Sequence, residues 1–417
     1  MPIHISSAPT VITTSMLLIN KHSNSSNSDP ARRQSDMRFT TTKDNLLNGI
    51  STVQRAVALK SPLPTLSGIL LELTEAGLKL TGTNLDLCIT CEVTVDQTQS
   101  QPGSIVLPAR YLSEIVRRLP DGPVHFLADL SSYTASLRYG APNSGGRNQA
   151  KLNGMNPGDF QVLPSLTPKV ELELDAAMFR DSIRQVVYAA GQDDLRPLFT
   201  GVLLEIVDHE LRTVATDTHR LTMRRAEVPE LEAQLTNIIV PAKALGELAR
   251  ILTTAETGNV QIVMAENYVS FMVGRVQLLS RLIDGQYPDY RQVIPTSHKS
   301  RISRIDSQML AQAVERAGIL SRDDSPIVSF NLQGNRLLIS ANSQAGSVLE
   351  EIPAECDGDQ VEITFNTTYI LEALRGAASS QKDEAVALEF HGALGPLVIR
   401  PHANGDYLAL ILPVRLS

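Results

Sequence analysis

The stretch Thr213–Leu221, TVATDTHRL, sets a carboxylate, several hydroxyls, an imidazole and a guanidinium side by side. A threonine nucleophile needs a base within hydrogen-bond reach and a third group to orient that base. Thr218, His219 and Asp217 are the residue types for those roles, but the spacing speaks against them. On a strand or its exit, Asp217 and His219 share one side while Thr218 faces the other. The adjacent acids Asp193-Asp194 and Asp323-Asp324 offer a second chemistry, oxygen ligands for Mg2+, or else are solvated turn residues beyond a helix end. A metal-assisted hydrolase using Asp217, His219 and the acidic pairs is therefore one reading. No phosphate-binding loop, dinucleotide fingerprint, zinc-binding helix or nucleophile elbow accompanies it.

The elements that carry these residues recur. LSGILLELTEAGLKLTGTNLDL (66–87) returns as FTGVLLEIVDHELRTVATDTHRL (199–221) and, more faintly, as IVSFNLQGNRLLISANSQAGS (327–347). Each is two alternating strands around a tight turn, the pattern of a β-hairpin. A second phrase follows in the same order: LPARYLSEIVRRL (107–119), VPAKALGELARIL (240–252) and FNTTYILEALRGA (365–377), each passing from a strand end into an amphipathic helix. A third opens each unit, as DNLLNGISTVQRAVAL, AMFRDSIRQVVYAAG and SQMLAQAVERAGIL, with Leu46, Ile50, Val53 and Val57 on one helical face. Three α+β units of two helices and about eight strands follow, repeating every 125 to 135 residues or so. Pro, Ser and Thr cluster at the boundaries, in 163–173 and 294–303. Where the second repeat has Asp217, the first reads GTNLD and the third ANSQA, so the acid–histidine pair is no shared catalytic device.

Composition narrows the classes further. With no tryptophan and 4% aromatics, the chain is poorly equipped to stack single-stranded bases. The net charge of −8 argues against broad-surface DNA binding unless the bases all face one way. Such a face is suggested by Arg110, Arg117 and Arg118 on one repeated helix, Lys243 and Arg250 on its counterpart, and Arg55 and Lys60 ending the first opening helix. They would offer charge to phosphates without reading bases. Cys88 and Cys91 lie three apart in an alternating strand and, with Cys356, are expected to be small apolar fillers in a reducing cytoplasm. No run of eighteen apolar residues would span a membrane. Residues 1–36, rich in Ser, Asn and Thr, suggest a disordered extension or an over-long translation start; a transit peptide is the minor alternative.

LRTVATDTHRL (211–221), LIDGQYPDYRQVIP (282–295), LPARYLSEIVRRLP (107–120) and GPLVIRPHANGDYLALILPVRL (395–416) resemble, in order, segments of the bacterial DNA polymerase III β subunit, the replicative sliding clamp. The resemblance runs from Met37 to the C-terminus. It implies an extension over 1–36 and clamp domains at 37–165, 166–296 and 297–417. Helices would line a central hole with antiparallel sheets outside, and two chains would join head-to-tail into a ring around duplex DNA. The implied role is a non-catalytic, cytoplasmic processivity factor without cofactor or metal. Its implied partners are double-stranded DNA, the polymerase III catalytic subunit, the clamp loader, and repair and translesion polymerases. An accessory or paralogous clamp with altered partners, such as a drug-insensitive copy, is the alternative within the fold.

The resemblance also assigns residues. Thr216, Thr218, His219, Arg220 and Leu221 would line an apolar pocket for a short linear peptide. Phe199, Pro288, Gln292, Val293, Leu394 and Pro396 would form its other walls with the tail Leu410, Ile411, Leu412, Pro413, Val414 and Arg415. Apolar walls would bury anchors while His219 and Arg415 fix orientation. Lys60, Arg110, Arg117, Arg196 and Lys243 would contact DNA. Arg147 and Leu152 would form one edge of the subunit interface, Ile319 and Leu320 the other. Thr218 stands where some members have glycine, Gln292 replaces a common arginine, and Phe199 a leucine. Pro197 and Leu198 replace tyrosines, and Ala150 an aromatic.

Overall fold

The computed structural model describes residues 36–58, 60–140, 148–163, 166–193, 195–228, 236–254, 258–321, 326–378, 385–403 and 405–415. Among these are six α-helices, two per repeat: α1 (Lys43–Val53), α2 (Ala109–Arg117), α3 (Ala176–Val186), α4 (Ala242–Thr254), α5 (Ser307–Ile319) and α6 (Thr367–Ala378). The opening helices begin at side-chain caps. Thr42, Asp175 and Asp306 accept from the amides of Asn45, Met178 and Met309, satisfying donors that the first turn leaves without partners. The two helices of each repeat pack against each other, α1 on α2, α3 on α4 and α5 on α6.

The expected face of α1 is buried at Leu46, Ile50 and Val53. Val57 departs from it. The chain tightens into a 3₁₀ turn at Gln54–Ala56 and Val57 is already extended, so Arg55 lies in that turn and Lys60 beyond it. Tight 3₁₀ turns are a common way to finish a helix whose last carbonyls need partners.

Eight strands recur in each repeat, in two sets of four. One set is Asp36–Thr42, Pro123–Asp129, Thr134–Tyr139 and Gln149–Asn153 in the first repeat; Val170–Asp175, Asn259–Met264, Tyr268–Val273 and Val276–Arg281 in the second; and Ser300–Asp306, Ala385–Phe390, Leu397–Pro401 and Tyr407–Ile411 in the third. The other set opens with the predicted hairpins, Gly68–Thr74 with Gly77–Thr83, Gly201–Val207 with Glu210–Thr216, and Ile327–Gln333 with Arg336–Ser343. Each is completed by two more strands: Leu87–Val93 and Gly103–Pro108, Arg220–Glu227 and Thr236–Pro241, and Gly346–Pro353 and Val361–Asn366.

The sheets do not stop where the repeats do. Val276–Arg281 pairs antiparallel with Leu87–Val93, placing Leu278 opposite Ile89, and so fuses the first and second repeats into an eight-stranded sheet. Tyr407–Ile411 pairs with Arg220–Glu227, Leu410 opposite Leu221, and fuses the second and third into a nine-stranded sheet. The same two strand types therefore meet at both seams. The corresponding strands left over, Gln149–Asn153 and Gly346–Pro353, end the five- and four-stranded sheets, each with one edge that pairs with no strand among the described residues.

Cys88 and Cys91 sit at the first seam, both buried and free. Burial pushes the Cys91 thiol up to about 11, with the Glu92 carboxylate adding to the effect. A neutral thiol of this kind is a packing residue rather than a nucleophile.

Candidate docking groove at the second seam

TVATDTHRL is neither a continuous strand nor a catalytic constellation. The strand Glu210–Thr216 ends, and Asp217–His219 form a turn before Arg220 opens the next strand. Thr218 has φ +79°, so the strand alternation expected of Asp217, Thr218 and His219 does not apply. Asp217 builds the turn. Its Oδ1 accepts the backbone N–H of His219 (2.9 Å) and of Arg220 (3.0 Å), and its Oδ2 accepts Arg220 Nε (2.9 Å). Thr216 Oγ1 donates to the Arg220 carbonyl at 2.6 Å and accepts the Thr218 N–H at 3.2 Å. A carboxylate so engaged is a structural acceptor.

Of the two acidic pairs, only Asp193 lies within the described residues. Asp193 caps its own loop by accepting the Leu195 N–H at 3.0 Å. Asp194, Asp323 and Asp324 lie outside the described residues, among which no cluster of three His, Cys, Asp or Glu could hold a metal ion.

Beside this turn a cavity of about 480 Å³ is lined by Ala190, Gly191, Gln192, Asp193, Arg196, Phe199, Asp217, Thr218, His219, Arg220 and Tyr369. The sequence-predicted Phe199, Thr218, His219 and Arg220 thus come together. Tyr369, from α6 of the third repeat, was missed because nothing in FNTTYILEALRGA separates a wall residue from an ordinary helical tyrosine. Thr218 and His219 are exposed. Arg220 is nearly enclosed: its side chain is 11% exposed, bonded to Asp217, Glu372 and the Tyr188 carbonyl, with the guanidinium 4.3 Å from the Tyr369 ring centre.

The other residues that the resemblance assigns to the pocket gather about the end of the nine-stranded sheet. Leu221, Leu410, Leu408, Val398 and Tyr290 form a buried cluster, and beyond it Leu394, Val293 and Leu412 are 75%, 55% and 42% exposed. The Leu412 N–H donates to the His219 carbonyl at 2.9 Å, which ties the tail to the turn. Val414 N–H donates to Thr364 O at 2.8 Å, and Pro413 and Val414 are half-buried while Arg415 is exposed. Pro288 is exposed and Pro396 half-buried, its carbonyl 3.0 Å from His391 Nδ1. Ile411 differs from its neighbours: it packs in the core of the third repeat.

The segment Pro288–Val293 is held by a buried acid that the sequence does not single out. Glu205 is 3% exposed and accepts the Tyr290 hydroxyl at 2.6 Å and Arg291 at 2.5 Å, with Arg212 at 3.8 Å. Burial, and then donation to Glu205, push the Tyr290 hydroxyl up to about 12. Gln292 turns back to donate to Asp289 Oδ2 at 3.0 Å.

The cations lie at the surface, and some of them are paired. Lys60, Arg110, Arg117, Arg196 and Lys243 are all exposed. Arg117 and Arg118 share Glu114, and Arg250 and Arg55 share Glu247. Lys60 lines a cavity of about 790 Å³ in the first repeat, at the place corresponding to the groove. At the free edges, Leu152 is 9% exposed and Ile319 79%, while Ala150 and Leu320 are half-buried. Arg147 lies outside the described residues.

With this geometry in place, comparisons with known proteins agree with one another. Sequence profiles of the DNA polymerase III beta subunit match throughout: the N-terminal domain over residues 37–164, the central domain over 173–289 and the C-terminal domain over 291–415. The beta sliding clamp of Bacillus subtilis is 32% identical over 389 residues, covering 91% of this chain and 100% of the relative, and that of Staphylococcus aureus Mu50 is 30% identical over 390. Among solved structures, the B. subtilis clamp superimposes with a TM-score of 0.83 at 32% identity, covering 92% of this chain and 100% of its own. The Pseudomonas aeruginosa clamp bound to griselimycin superimposes with 0.84 at 29% identity, covering 91% and 100%. A chain matched by these profiles along its three repeats and by these relatives over their full lengths belongs to the DNA polymerase III beta subunit family, the bacterial sliding clamps.

Proposed function

We propose that this non-catalytic processivity subunit closes, as a head-to-tail dimer of three-domain chains divided at 37–165, 166–296 and 297–417, into a ring around duplex DNA. The observation that carries the reading is the unfinished third seam. Twice within the chain a strand of the Val276–Arg281 type meets one of the Leu87–Val93 type. Gln149–Asn153 and Gly346–Pro353 are the remaining members of those two types, one in the first repeat and one in the third. Pairing them between two copies is a heterologous contact that closes after six repeats. Leu152 would lie on one edge and Ile319 and Leu320 on the other, with Arg147 beside Leu152.

Topological linkage makes strong phosphate binding unnecessary. Lys60, Arg110, Arg117, Arg196 and Lys243 would make weak, mobile contacts with the backbone of the encircled duplex. Surface ion pairs such as Arg117–Glu114 contribute little by themselves and exchange readily for phosphate. The net charge of −8 is then no obstacle, since in such a ring the acids would lie mainly away from the hole.

The groove at the second seam would take a short peptide carried by the polymerase III catalytic subunit, the clamp loader, and repair and translesion polymerases. Exposed Leu394, Val293 and Leu412 supply apolar anchor sites, and His219 and Arg415 the orienting polar groups. Griselimycin, which the P. aeruginosa clamp binds, is proposed to bind this chain as well. The proposed setting is the cytoplasm, that of the replication proteins this chain would serve.

The decisive experiment is retention on closed circular DNA against the same DNA linearised, with the cognate loader and ATP. Retention on the circle and loss from the linear form supports encirclement. Equal, salt-sensitive retention on both would mean ordinary electrostatic binding and would end the ring reading.

A further inference from the structure

Arg220 faces the docking groove, yet its chemistry is spent inside the protein. Each of its three guanidinium nitrogens donates a hydrogen bond: Nε to Asp217 Oδ2 (2.9 Å), one terminal nitrogen to Glu372 of α6, the other to the Tyr188 carbonyl (2.7 Å). The guanidinium carbon lies 4.3 Å from the Tyr369 ring centre and 5.3 Å from that of Tyr188. One side chain thus touches the groove-forming turn, the last turn of the opening helix region in the second repeat, and α6 of the third.

The fold contains its own control. The first repeat builds the same turn, with Asn84 in place of Asp217 and Leu85 at φ +79° in place of Thr218. Its counterpart of Arg220 is Leu87, a buried apolar residue that opens the seam strand just as Arg220 does. Glu247 stands five residues into α4 as Glu372 does in α6, and there it pairs with Arg55 instead. A seam of this architecture therefore forms without an arginine reaching out of the turn. The pin occurs at the seam that carries the groove.

We propose that Arg220 is a positioning residue for partner docking. It fixes the Asp217–His219 turn against α6 so that His219 and Tyr369 keep a constant relation across the cavity, and it does not itself bind the peptide. This rests on the docking reading above. Arginine suits the task because its planar fork serves several acceptors while its guanidinium lies over aromatic rings. Its action runs through Glu372, so the two residues should behave as a unit.

The test compares Arg220→Met, Glu372→Gln and the double variant in the full-length chain. Binding of the polymerase III catalytic subunit from the same organism is measured by surface plasmon resonance. Each single variant is expected to bind at least about ten-fold more weakly, and the double variant no more weakly than the worse single. If Glu372→Gln binds like the unsubstituted chain while Arg220→Met does not, Arg220 meets the partner directly and the inference is overturned. Hydrogen exchange gives a readout independent of any partner. In Glu372→Gln the amides of Thr218, His219 and Arg220 should exchange faster while those of Leu85, Asp86 and Leu87 are unchanged; unchanged exchange in both turns overturns it too. If the unsubstituted chain does not bind the polymerase at all, the docking reading fails, and exchange still decides whether Arg220 holds the turn.

Discussion

Asn84 and Asp217 hold the same turn in two repeats with the same atoms. Asn84 Oδ1 accepts the amides of Asp86 (3.0 Å) and Leu87 (2.8 Å), and Asp217 Oδ1 those of His219 (2.9 Å) and Arg220 (3.0 Å). A threonine precedes each: Thr83 Oγ1 donates to the Leu87 carbonyl and accepts the Leu85 amide, as Thr216 does for Arg220 and Thr218. An amide and a carboxylate are interchangeable here because only an acceptor oxygen is required. What the carboxylate adds is charge for Arg220, which the first repeat, with Leu87, does not need.

The turn's left-handed residue yields the first prediction. A β-branched side chain at φ +79° is strained, and the left-handed region costs a non-glycine residue about 1–2 kcal/mol. Glycine relieves this but gives back part of it as unfolded-state entropy. Thr218→Gly is expected to raise unfolding free energy by about 1 kcal/mol in urea titrations, and Leu85→Gly, at the same φ, to do likewise. A loss of stability at both positions would show that side-chain contacts outweigh the backbone.

Glu205 holds the segment proposed as the opposite wall, through Tyr290 and Arg291. Replacing a buried acid that holds a tyrosine hydroxyl and an arginine leaves polar groups without partners, at a cost of roughly 2–4 kcal/mol. Glu205→Gln keeps the shape and loses the charge. It should lower stability by an amount in the lower part of that range and weaken the griselimycin binding proposed for this groove, because the segment carrying Val293 is no longer held. Calorimetric titration gives the binding change and thermal unfolding the stability change. Unaltered binding in a destabilised protein would separate Glu205 from the groove.

How much of this was legible follows from how far each signal reaches. Alternation in GILLELT and GLKLTGT is local, so the hairpins and their repetition show in the sequence. Glu205 in GVLLEIV reads as an outward strand charge, and only the later arrival of Tyr290 and Arg291 buries it. Tyr369 and Glu372 reach the groove from more than a hundred residues away, through a seam whose strand pairing has no local signature. The turn at Thr218 was hidden for a different reason: threonine favours strands, and tertiary hydrogen bonding overrode that preference. The tail was legible as an apolar run, whereas the inward direction of Ile411 depends on strand register.

A tyrosine pair beneath the groove predicts alkaline behaviour. The hydroxyls of Tyr188 and Tyr407 are 2.8 Å apart, and Tyr407 donates to the Ala373 carbonyl at 3.0 Å. Burial pushes the Tyr188 hydroxyl up to about 12 and that of Tyr407 well above its ordinary value of 10.0. Both are neutral when folded, whereas unfolded tyrosines ionise near pH 10. The unfolded state thus loses protons first, and this part of the stability, complete below pH 10, is lost as pH rises toward 12. Absorbance at the tyrosinate band should therefore show a late step that coincides with loss of far-ultraviolet circular dichroism. A late step completed while the fold persists would show the pair to be solvent-accessible.

The unfinished seam gives the sharpest test of assembly. Ile319 at the end of α5 is 79% exposed and Leu349 on Gly346–Pro353 67%, whereas the two internal seams set buried apolar residues opposite each other, Leu278 against Ile89 and Leu221 against Leu410. Exposed apolar side chains at an unpaired edge are costly alone and are stabilised by a matching edge. Ile319→Glu and Leu349→Lys should each weaken the dimer by about 100-fold or more, since a charge would be buried without a partner. Neither side chain supports the core, so far-ultraviolet circular dichroism and thermal unfolding of the separated chains should stay near those of the original. Sedimentation equilibrium gives the dissociation constant, and retention on circular DNA should fall in step with it. A dimer that survives both substitutions would place the contact elsewhere, leaving Gln149–Asn153 and Gly346–Pro353 as edges that end their sheets without closing a ring.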